Sequence, residues 1–146
     1  MCGIFACVSE VNVSNFLIEG LKKLEYRGYD SAGICLQTED RKIEVIKSSN
    51  ANYPVDVLKK SLEKSKIKSN AGIGHTRWAT HGPINNINAH PHFSYTNNIF
   101  IVHNGIVENY DFLKKFLIRK GVLINSQTDS ELIAHMIDLM LCSMGN

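Results

Sequence analysis

Residues 1–10, MCGIFACVSE, place a cysteine directly behind the initiator methionine. A small side chain at position 2 normally allows removal of the methionine, which would leave Cys2 with both its thiol and a free α-amine. Because the pKa of an α-amine is about 7.7 to 8.0, a sizeable neutral fraction can accept the thiol proton. An N-terminal residue that supplies its own base is a known nucleophile for acyl transfer. Cys2 is therefore a candidate nucleophile, although its position alone also fits a buried or merely permissive cysteine.

The residues after Cys2 predict a strand and then a helix. GIFACV (3–8) is short, apolar and partly β-branched, which favours a buried strand that begins beside Cys2. From Val13 to the Gly28 region, apolar residues recur at spacings of three and four, as on one face of a helix. The next predicted elements are a hairpin and a second helix: AGICLQT (32–38) with KIEVIKS (42–48), then residues 55–65.

Polar residues cluster where two further strands are predicted to end. NAGIGHTRW (70–78) and NNIFIVHNG (97–105) each run from apolar residues into polar ones, which is the usual setting of a functional site. Between them, HGPINNINAHPH (81–92) contains prolines, a glycine and several asparagines, and it predicts an ordered surface loop. We therefore expect the candidate site at these strand ends.

The C-terminal part of the chain predicts two helices. The first spans residues 109–120 and has Gly121 in the C′ position. The second begins at a capping box of Thr128 and Glu131, which places Asp129 in its first turn. The apolar spacing of this last helix predicts a buried face: Leu132, Ile133, Met136, Ile137 and Met140.

The composition indicates one globular domain. Of 146 residues, 44% are hydrophobic and 21% charged, and the formal net charge of +2 is too small to favour nucleic acid or an anionic membrane as partner. No basic leader and no long apolar run precede the first strand, so we predict neither a signal peptide nor a membrane span. Four cysteines without a CxxC pair fit a reducing compartment, and the predicted location is the cytoplasm.

Acyl transfer also needs hydrogen-bond donors for an oxyanion and, for an amino acid amide, charges that hold its two α-groups. Asn104 and Gly105 provide a side-chain amide and an uncovered backbone N–H at a strand end. Arg77 and Asp129 are the usual residue types for an α-carboxylate and an α-ammonium. Taken singly, the first pair also fits an ordinary turn and the second pair also fits surface ion pairs.

The histidines do not predict a metal site. His90 and His92 are separated by a proline in a loop, whereas helical metal sites use histidines four residues apart on a rigid element. No Cys/His doublets of the usual separations occur either. We therefore predict no metal and no cofactor.

Several motifs resemble the glutaminase domain of class II glutamine amidotransferases: MCGI, LEYRGYDSAGI, GHTRWATHG, NAHPH, HNGIVEN and QTDSELIAH. The motifs YRGYDSAG and RWATHG resemble the glutamine–fructose-6-phosphate aminotransferase branch in particular, and the resemblance extends from Met1 to about residue 139. In that family the N-terminal cysteine attacks the side-chain amide of glutamine, forms a glutamyl thioester and releases ammonia. A tunnel then carries the ammonia to a second domain that binds a sugar phosphate.

The resemblance also implies roles for individual residues. Cys2 matches the nucleophile, and Asn104 and Gly105 match the oxyanion hole. Arg77 and Asp129 match the residues that hold the α-carboxylate and the α-ammonium of glutamine. The other matches are substrate-binding positions: Trp78, Thr80 and His81 in a loop that closes over glutamine, and Arg27 and His90 beside the pocket.

The fold that the resemblance implies is α+β, the αββα sandwich of N-terminal nucleophile hydrolases, here only its N-terminal portion. Residues 1–146 are expected to form a glutaminase domain that is incomplete at its C-terminus, with no isomerase domain present. A sheet without its facing sheet would expose apolar side chains. The family usually has a Gly-Lys pair ahead of the second helix, where this chain has SSNANYP (48–54), and we expect only altered loop packing there.

The expected function is hydrolysis of glutamine at Cys2 to supply ammonia for glucosamine 6-phosphate synthesis in the full-length enzyme. Glutamine is the expected partner, fructose 6-phosphate is expected only through a missing second domain, and the full-length form is expected to be a homo-oligomer. Two alternatives remain open at this point. The chain is a truncated remnant that acts only as an interaction module, or it is a glutaminase that serves another acceptor.

Overall fold

A four-stranded antiparallel sheet forms the centre of the molecule in the computed structural model, which describes residues 2–49, 52–80 and 82–144. The strands lie in the order β1-β4-β2-β3, so β1 is an edge strand. Their bounds are Gly3–Val8 for β1, Ser31–Thr38 for β2, Ile43–Ser49 for β3 and Ser69–Arg77 for β4. The predicted strand after Cys2, the predicted hairpin and the predicted strand at 70–78 are thereby confirmed. The expected burial of the first strand is wrong, because β1 lies at the sheet edge and only Gly3 of its residues is buried.

Two helices cover one face of this sheet. Helix α1 (Ser14–Leu24) packs its apolar side on β1 and β4, and helix α2 (Pro54–Ser65) packs its apolar side on β2 and β3, as their residue spacing predicts. The resulting core is Leu17, Ile18, Leu21, Ala32, Ile34, Leu36, Val55, Leu58 and Leu62. The opposite face of the sheet exposes apolar side chains, among them Ile4 at 40%, Val8 at 84% and Ile43 at 38%.

A short 3₁₀ turn, Glu25–Arg27, brings the chain from α1 to the end of β4. It ends at Gly28, which lies directly against the backbone of Arg77 and Trp78. A Cβ atom on Gly28 would lie 2.6 Å from the carbonyl carbon of Arg77, so only glycine permits this approach. The turn thereby closes one side of the region where β4 ends.

A second, smaller layer contains the strand pair β5 (His92–Phe93) and β6 (Phe100–Ile101) and the helices α3 (Tyr110–Arg119) and α4 (Ser130–Met144). The helices share a small core of Leu117, Val122 and Leu132. Only two residues of the predicted strand 97–105 are paired. The chain leaves the ladder after Ile101, and the His103 carbonyl accepts a hydrogen bond from the His75 ring instead of from a neighbouring strand.

The prediction of a surface loop at 81–92 is wrong for its second half. Asn88 and Ala89 are fully buried and His90 is 6% exposed, because the loop passes beneath the sheet at Gly33. A Cβ atom on Gly33 would lie 2.0 Å from the His90 carbonyl oxygen, so the missing side chain makes room for the loop. The Asn88 side chain accepts from the Gln127 N–H and donates to a loop carbonyl, which satisfies its buried polar atoms.

The predicted buried face of the last helix is also wrong in part. Ile137 is 38% and Met140 is 59% exposed, whereas the polar residues Glu131, His135 and Asp138 are buried. The reason is that this side of α4 packs against the polar backbone of the β5–β6 hairpin rather than against an apolar sheet face. His135 accepts a hydrogen bond from the Tyr95 N–H at 3.1 Å, and Asp138 accepts one from the Thr96 N–H at 3.2 Å.

The predicted capping box does not form as expected. Glu131 accepts hydrogen bonds from the backbone N–H groups of Asn125 and Ser126 rather than from that of Thr128. The Thr128 N–H donates to the Ser126 hydroxyl instead. Helix α4 begins at Ser130, so Asp129 lies immediately before the helix and not within its first turn.

Candidate active site

A cleft of about 420 Å³ opens where β1 begins and β4 ends. It joins segments that are far apart in the chain, because the antiparallel pairing of β1 with β4 places Gly3 opposite Thr76. The residues that line it are Cys2, Arg77, Trp78, Thr80, His90, His103, Asn104, Gly105, Ile106, Thr128, Asp129 and Ser130. Most of the site residues predicted from the sequence therefore share one cavity.

The Cys2 thiol lies over the peptide group of Trp78. The Trp78 N–H donates to Sγ at 3.4 Å, and Sγ lies 3.7 Å from the Trp78 carbonyl oxygen. Cys2 is held there because the next residue, Gly3, donates its N–H to the Thr76 hydroxyl at 3.2 Å. The partial exposure of Cys2 leaves its thiol accessible from the cleft.

Asn104 lies beside Cys2 on a turn that packs on the ring of His103. Its side-chain amide donates to the Cys2 carbonyl oxygen at 3.1 Å. The ring of His103 supports the turn, since Nδ1 lies 3.0 Å from the Ser130 hydroxyl and Nε2 lies directly under Gly105. A Cβ atom on Gly105 would lie 2.6 Å from that nitrogen, so glycine lets the turn sit close on the ring. The Asn104 amide is therefore directly hydrogen-bonded to the backbone of Cys2.

Opposite charges line the same cleft. Arg77 is only 4% exposed, and it donates to the Pro83 carbonyl at 3.3 Å. Burial lowers the pKa of Arg77, while the nearby Cys2 and Asp30 oppose that shift; a guanidinium stays charged under these conditions. The Asp129 carboxylate accepts a hydrogen bond from the Val107 N–H at 2.7 Å. One cation and one anion in one cavity suit a zwitterionic ligand.

The segment after β4 is anchored to the residues that follow the 3₁₀ turn. The Ala79 N–H donates to the Asp30 carboxylate at 2.7 Å, and the rings of Tyr29 and Trp78 meet edge-to-face at 5.4 Å. Trp78 is 43% exposed at the rim of the cleft, and Thr80 lines it. His81, predicted in this loop, lies outside the described residues.

Arg27 is the predicted site residue that the structure leaves outside the cleft lining. It is the last residue of the 3₁₀ turn, directly before the Gly28 contact with the Arg77–Trp78 backbone. Arg27 therefore lies next to the backbone contact that supports the Arg77–Trp78 segment, and it does not line the cavity.

Three histidines pack ring against ring on the buried side of the cleft. His90, which lines the cleft, stacks on His75 at 4.0 Å and meets His92 edge-on at 4.5 Å. Burial lowers the pKa of His75 to about 4 and that of His92 to about 3, and it lowers the pKa of His90 further. All three rings are therefore neutral near pH 7.

This histidine cluster predicts acid sensitivity. Its folded-state pKa values lie below the value of 6.5 for an exposed histidine, so the unfolded chain binds more protons between those limits. The free energy of unfolding is then highest above pH 6.5 and falls as pH decreases toward 4, by on the order of 1 kcal/mol per pH unit. Urea unfolding between pH 7.5 and 4.5 measures this slope. His92→Gln should flatten it, and an unchanged slope in that variant would contradict the prediction.

Residues that the sequence analysis did not select also line the cleft, namely His103, Ile106, Thr128 and Ser130. Each lies next to a selected residue, in the HNGI (103–106) or TDS (128–130) stretch. Proximity in these short motifs is the signal that could have identified them.

The chain belongs to the glutamine amidotransferase domain family, whose sequence profile matches residues 62–142. It is similar to glutamine–fructose-6-phosphate aminotransferase (isomerizing) of Pyrococcus horikoshii, with 48% identity over 146 residues, which is 100% of this chain and 24% of that protein. The same enzyme of Buchnera aphidicola is 47% identical over 137 residues, 94% of this chain and 22% of that protein. The chain thus spans about a quarter of the length of these relatives. These relatives confirm the resemblance to that branch.

Solved structures share the fold. Glutamine phosphoribosylpyrophosphate amidotransferase from B. subtilis, complexed with ADP and GMP, superimposes with a TM-score of 0.77 and 28% identity, covering 94% of this chain and 29% of that one. A structure described as the allosteric regulatory enzyme of purine biosynthesis superimposes with the same TM-score and 29% identity, again over 94% of this chain and 29% of that one. These likenesses confirm the predicted fold class, α+β of the N-terminal nucleophile hydrolase type. Within the described residues no helix has the length and apolar character needed to cross a membrane.

Proposed function

We propose that this chain hydrolyses the side-chain amide of glutamine through a thioester on Cys2. The observation that carries the proposal is the placement of Cys2, Asn104, Arg77 and Asp129 around one cleft. A thiol, an amide donor, a cation and an anion are the groups that such a reaction requires. Membership in the glutamine amidotransferase domain family supports glutamine as the substrate.

The first half of the reaction uses the two functional groups of Cys2. After removal of Met1, the neutral α-amine takes the thiol proton, and the thiolate attacks the amide carbon of glutamine. The resulting oxyanion accepts hydrogen bonds from the Asn104 side chain and the Gly105 N–H. The ammonium group of Cys2 then gives its proton to the amide nitrogen, the C–N bond breaks as the intermediate collapses, and the nitrogen departs as ammonia. A glutamyl thioester remains on Cys2.

The second half reverses the roles of the groups. The Cys2 amine takes a proton from water as that water attacks the thioester carbon, and the same donors stabilise the second oxyanion. Cleavage of the C–S bond releases glutamate and restores the thiol. The Trp78 N–H, 3.4 Å from Sγ, stabilises sulfur whenever it carries negative charge. Asn104 exchanges its present bond to the Cys2 carbonyl for one to the oxyanion.

Recognition of glutamine rests on its two α-groups. The buried Arg77 guanidinium pairs with the α-carboxylate, and Asp129 pairs with the α-ammonium. Trp78, Thr80 and His81 close over the bound amino acid, while His90 forms a neutral wall. Arg27 contributes from outside the cavity lining by supporting the Arg77–Trp78 segment.

The acceptor of the ammonia follows from the names of the relatives. Proteins that are 48% and 47% identical to this chain are glutamine–fructose-6-phosphate aminotransferases, and they are about four times longer. We therefore propose that the released ammonia serves glucosamine 6-phosphate synthesis from fructose 6-phosphate, in a homo-oligomeric full-length enzyme that contributes the sugar phosphate site. The cysteines of the described residues are free, which fits a cytoplasmic enzyme.

Ammonia and glutamate release from glutamine tests the proposal. The purified chain is first shown by intact mass to lack Met1 and by near-UV circular dichroism to be folded. Equal amounts of the two products are expected from glutamine, and none from asparagine, which keeps both α-groups but carries its amide one methylene closer. Absence of release from a folded chain without Met1, or equal rates with asparagine, would contradict the proposal.

A further inference from the structure

Glu131 carries a buried carboxylate that lies outside the cleft. It is 3% exposed, and it accepts four hydrogen bonds: from the Asn125 N–H at 2.8 Å, the Ser126 N–H and the Ser126 hydroxyl at 2.6 Å each, and His135 Nε2 at 3.2 Å. Burial alone would raise the pKa of Glu131, but these bonds outweigh it and lower the pKa to about 2. A buried carboxylate with four donors fixes the orientation of the groups that donate to it.

The Glu131 carboxylate sets the direction of a chain of hydrogen bonds. The single hydrogen of the Ser126 hydroxyl is donated to Glu131, so the Ser126 oxygen must accept from the Thr128 hydroxyl, 2.9 Å away. Thr128 in turn must accept from His92 Nε2 at 2.8 Å. The chain therefore runs from His92 through Thr128 and Ser126 to the ionised Glu131.

This hydrogen-bonded chain reaches the cleft at Thr128. Thr128 lines the cleft, and so does the next residue, Asp129. Asp129 is held on both sides, since its carbonyl accepts from the Leu132 N–H at 3.1 Å and its carboxylate from the Val107 N–H at 2.7 Å. Thr128 is linked to Glu131 through the Ser126 hydroxyl, and Asp129 follows Thr128 directly in the chain.

We infer that Glu131 is a positioning residue, which holds Thr128 and Asp129 in the orientation that receives the α-ammonium of the substrate. The inference rests on the proposed function, because it assumes that Asp129 binds glutamine. Glu131 itself does not touch the substrate. On its other side it borders a separate cavity of about 590 Å³ that also contains Lys47.

Glu131→Gln tests this role with little change in shape. Each carboxylate oxygen of Glu131 accepts from two donors, so either orientation of a glutamine amide would set its NH₂ group against donors. We expect KM for glutamine to rise roughly 10- to 100-fold, the effect of misplacing a binding group. We expect kcat to stay within about threefold, because the groups at Cys2 are unaffected. Glu108→Gln, at an exposed carboxylate, is the matched control and should leave both constants unchanged.

A second substrate separates positioning from general loss of structure. The compound 4-carbamoylbutanoate is glutamine without its α-amine, so its kcat/KM should be the same in wild type and Glu131→Gln. An equal loss with both substrates, or an unchanged KM for glutamine, would overturn the inference. If Glu131→Gln does not fold, Ser126→Ala removes the link between Glu131 and Thr128 and should raise KM for glutamine in the same direction.

The tautomer of His92 provides a readout that needs no turnover. Nitrogen-15 NMR should find the hydrogen on Nε2 in the wild type and a changed distribution in Glu131→Gln or Ser126→Ala. An unchanged His92 tautomer in folded variants would overturn the inference even if the chain proved inactive. A wild-type chain that hydrolyses neither substrate would instead contradict the proposed function, so the two failures are distinguishable.

Discussion

Replacement of Cys2 with alanine is expected to lower ammonia release from glutamine by about a thousandfold or more, since no other group can form the thioester. The binding groups remain, so the variant should still bind glutamine. Initial rates of ammonia formation measure the loss. Mass spectrometry of the acid-quenched enzyme should detect a glutamyl adduct on the N-terminal peptide of the wild type and none on the variant.

Cys142→Ala is the matched control for the nucleophile. Cys142 is an exposed free thiol on α4, remote from the cleft lining, and its removal should leave the rate unchanged. A Cys2→Ala variant that kept more than about a tenth of the wild-type rate would contradict the thioester route. Similar losses in both cysteine variants would point to misfolding rather than chemistry.

The second large effect is expected at Asn104. Asn104→Ala removes an oxyanion donor, and kcat for glutamine should fall about 100- to 1000-fold, as for other side-chain donors of this kind. KM should change little, because the donor acts on charge that develops only in the transition state. Steady-state kinetics over a range of glutamine concentrations separates the two constants.

The exposed Asn98 offers a control of the same type. Asn98→Ala should leave kcat unchanged, because this residue lies on the turn between β5 and β6 and outside the cleft lining. If Asn104→Ala instead raised KM and left kcat unchanged, the bond from Asn104 to the Cys2 carbonyl would be structural, and the oxyanion donor would lie elsewhere.

Local patterns were sufficient to predict the first layer of the fold. The strand at 3–8 is a short apolar run, and the helix after Val13 has apolar residues at spacings of three and four. The two strands of the hairpin around residue 40 pair with each other. The charged and amide groups of the cleft were also predictable. Arg77 lies at the end of a strand and Asn104 in an HNG turn, both places where the chain turns from apolar to polar.

Tertiary contacts decided the features that the sequence did not reveal. Hydropathy predicts that Ile137 of α4 is buried and His135 is not, but the hairpin backbone facing this helix requires hydrogen-bonding partners. In the same way the burial of His90 depends on Gly33, which lies more than fifty residues away along the chain. Neither relationship has a local sequence signal.

The position of β1 at the edge of the sheet affects how this protein would lose activity on heating. Its single ladder to β4 determines where Cys2 lies, and a slip by one residue would turn every side chain of β1 to the other face. Cys2, the proposed nucleophile, is also the first residue beyond that ladder, where strands fray most easily. Fraying of a few terminal hydrogen bonds would therefore also displace Cys2, and we expect inactivation by heat to precede the melting of the core beneath α1 and α2.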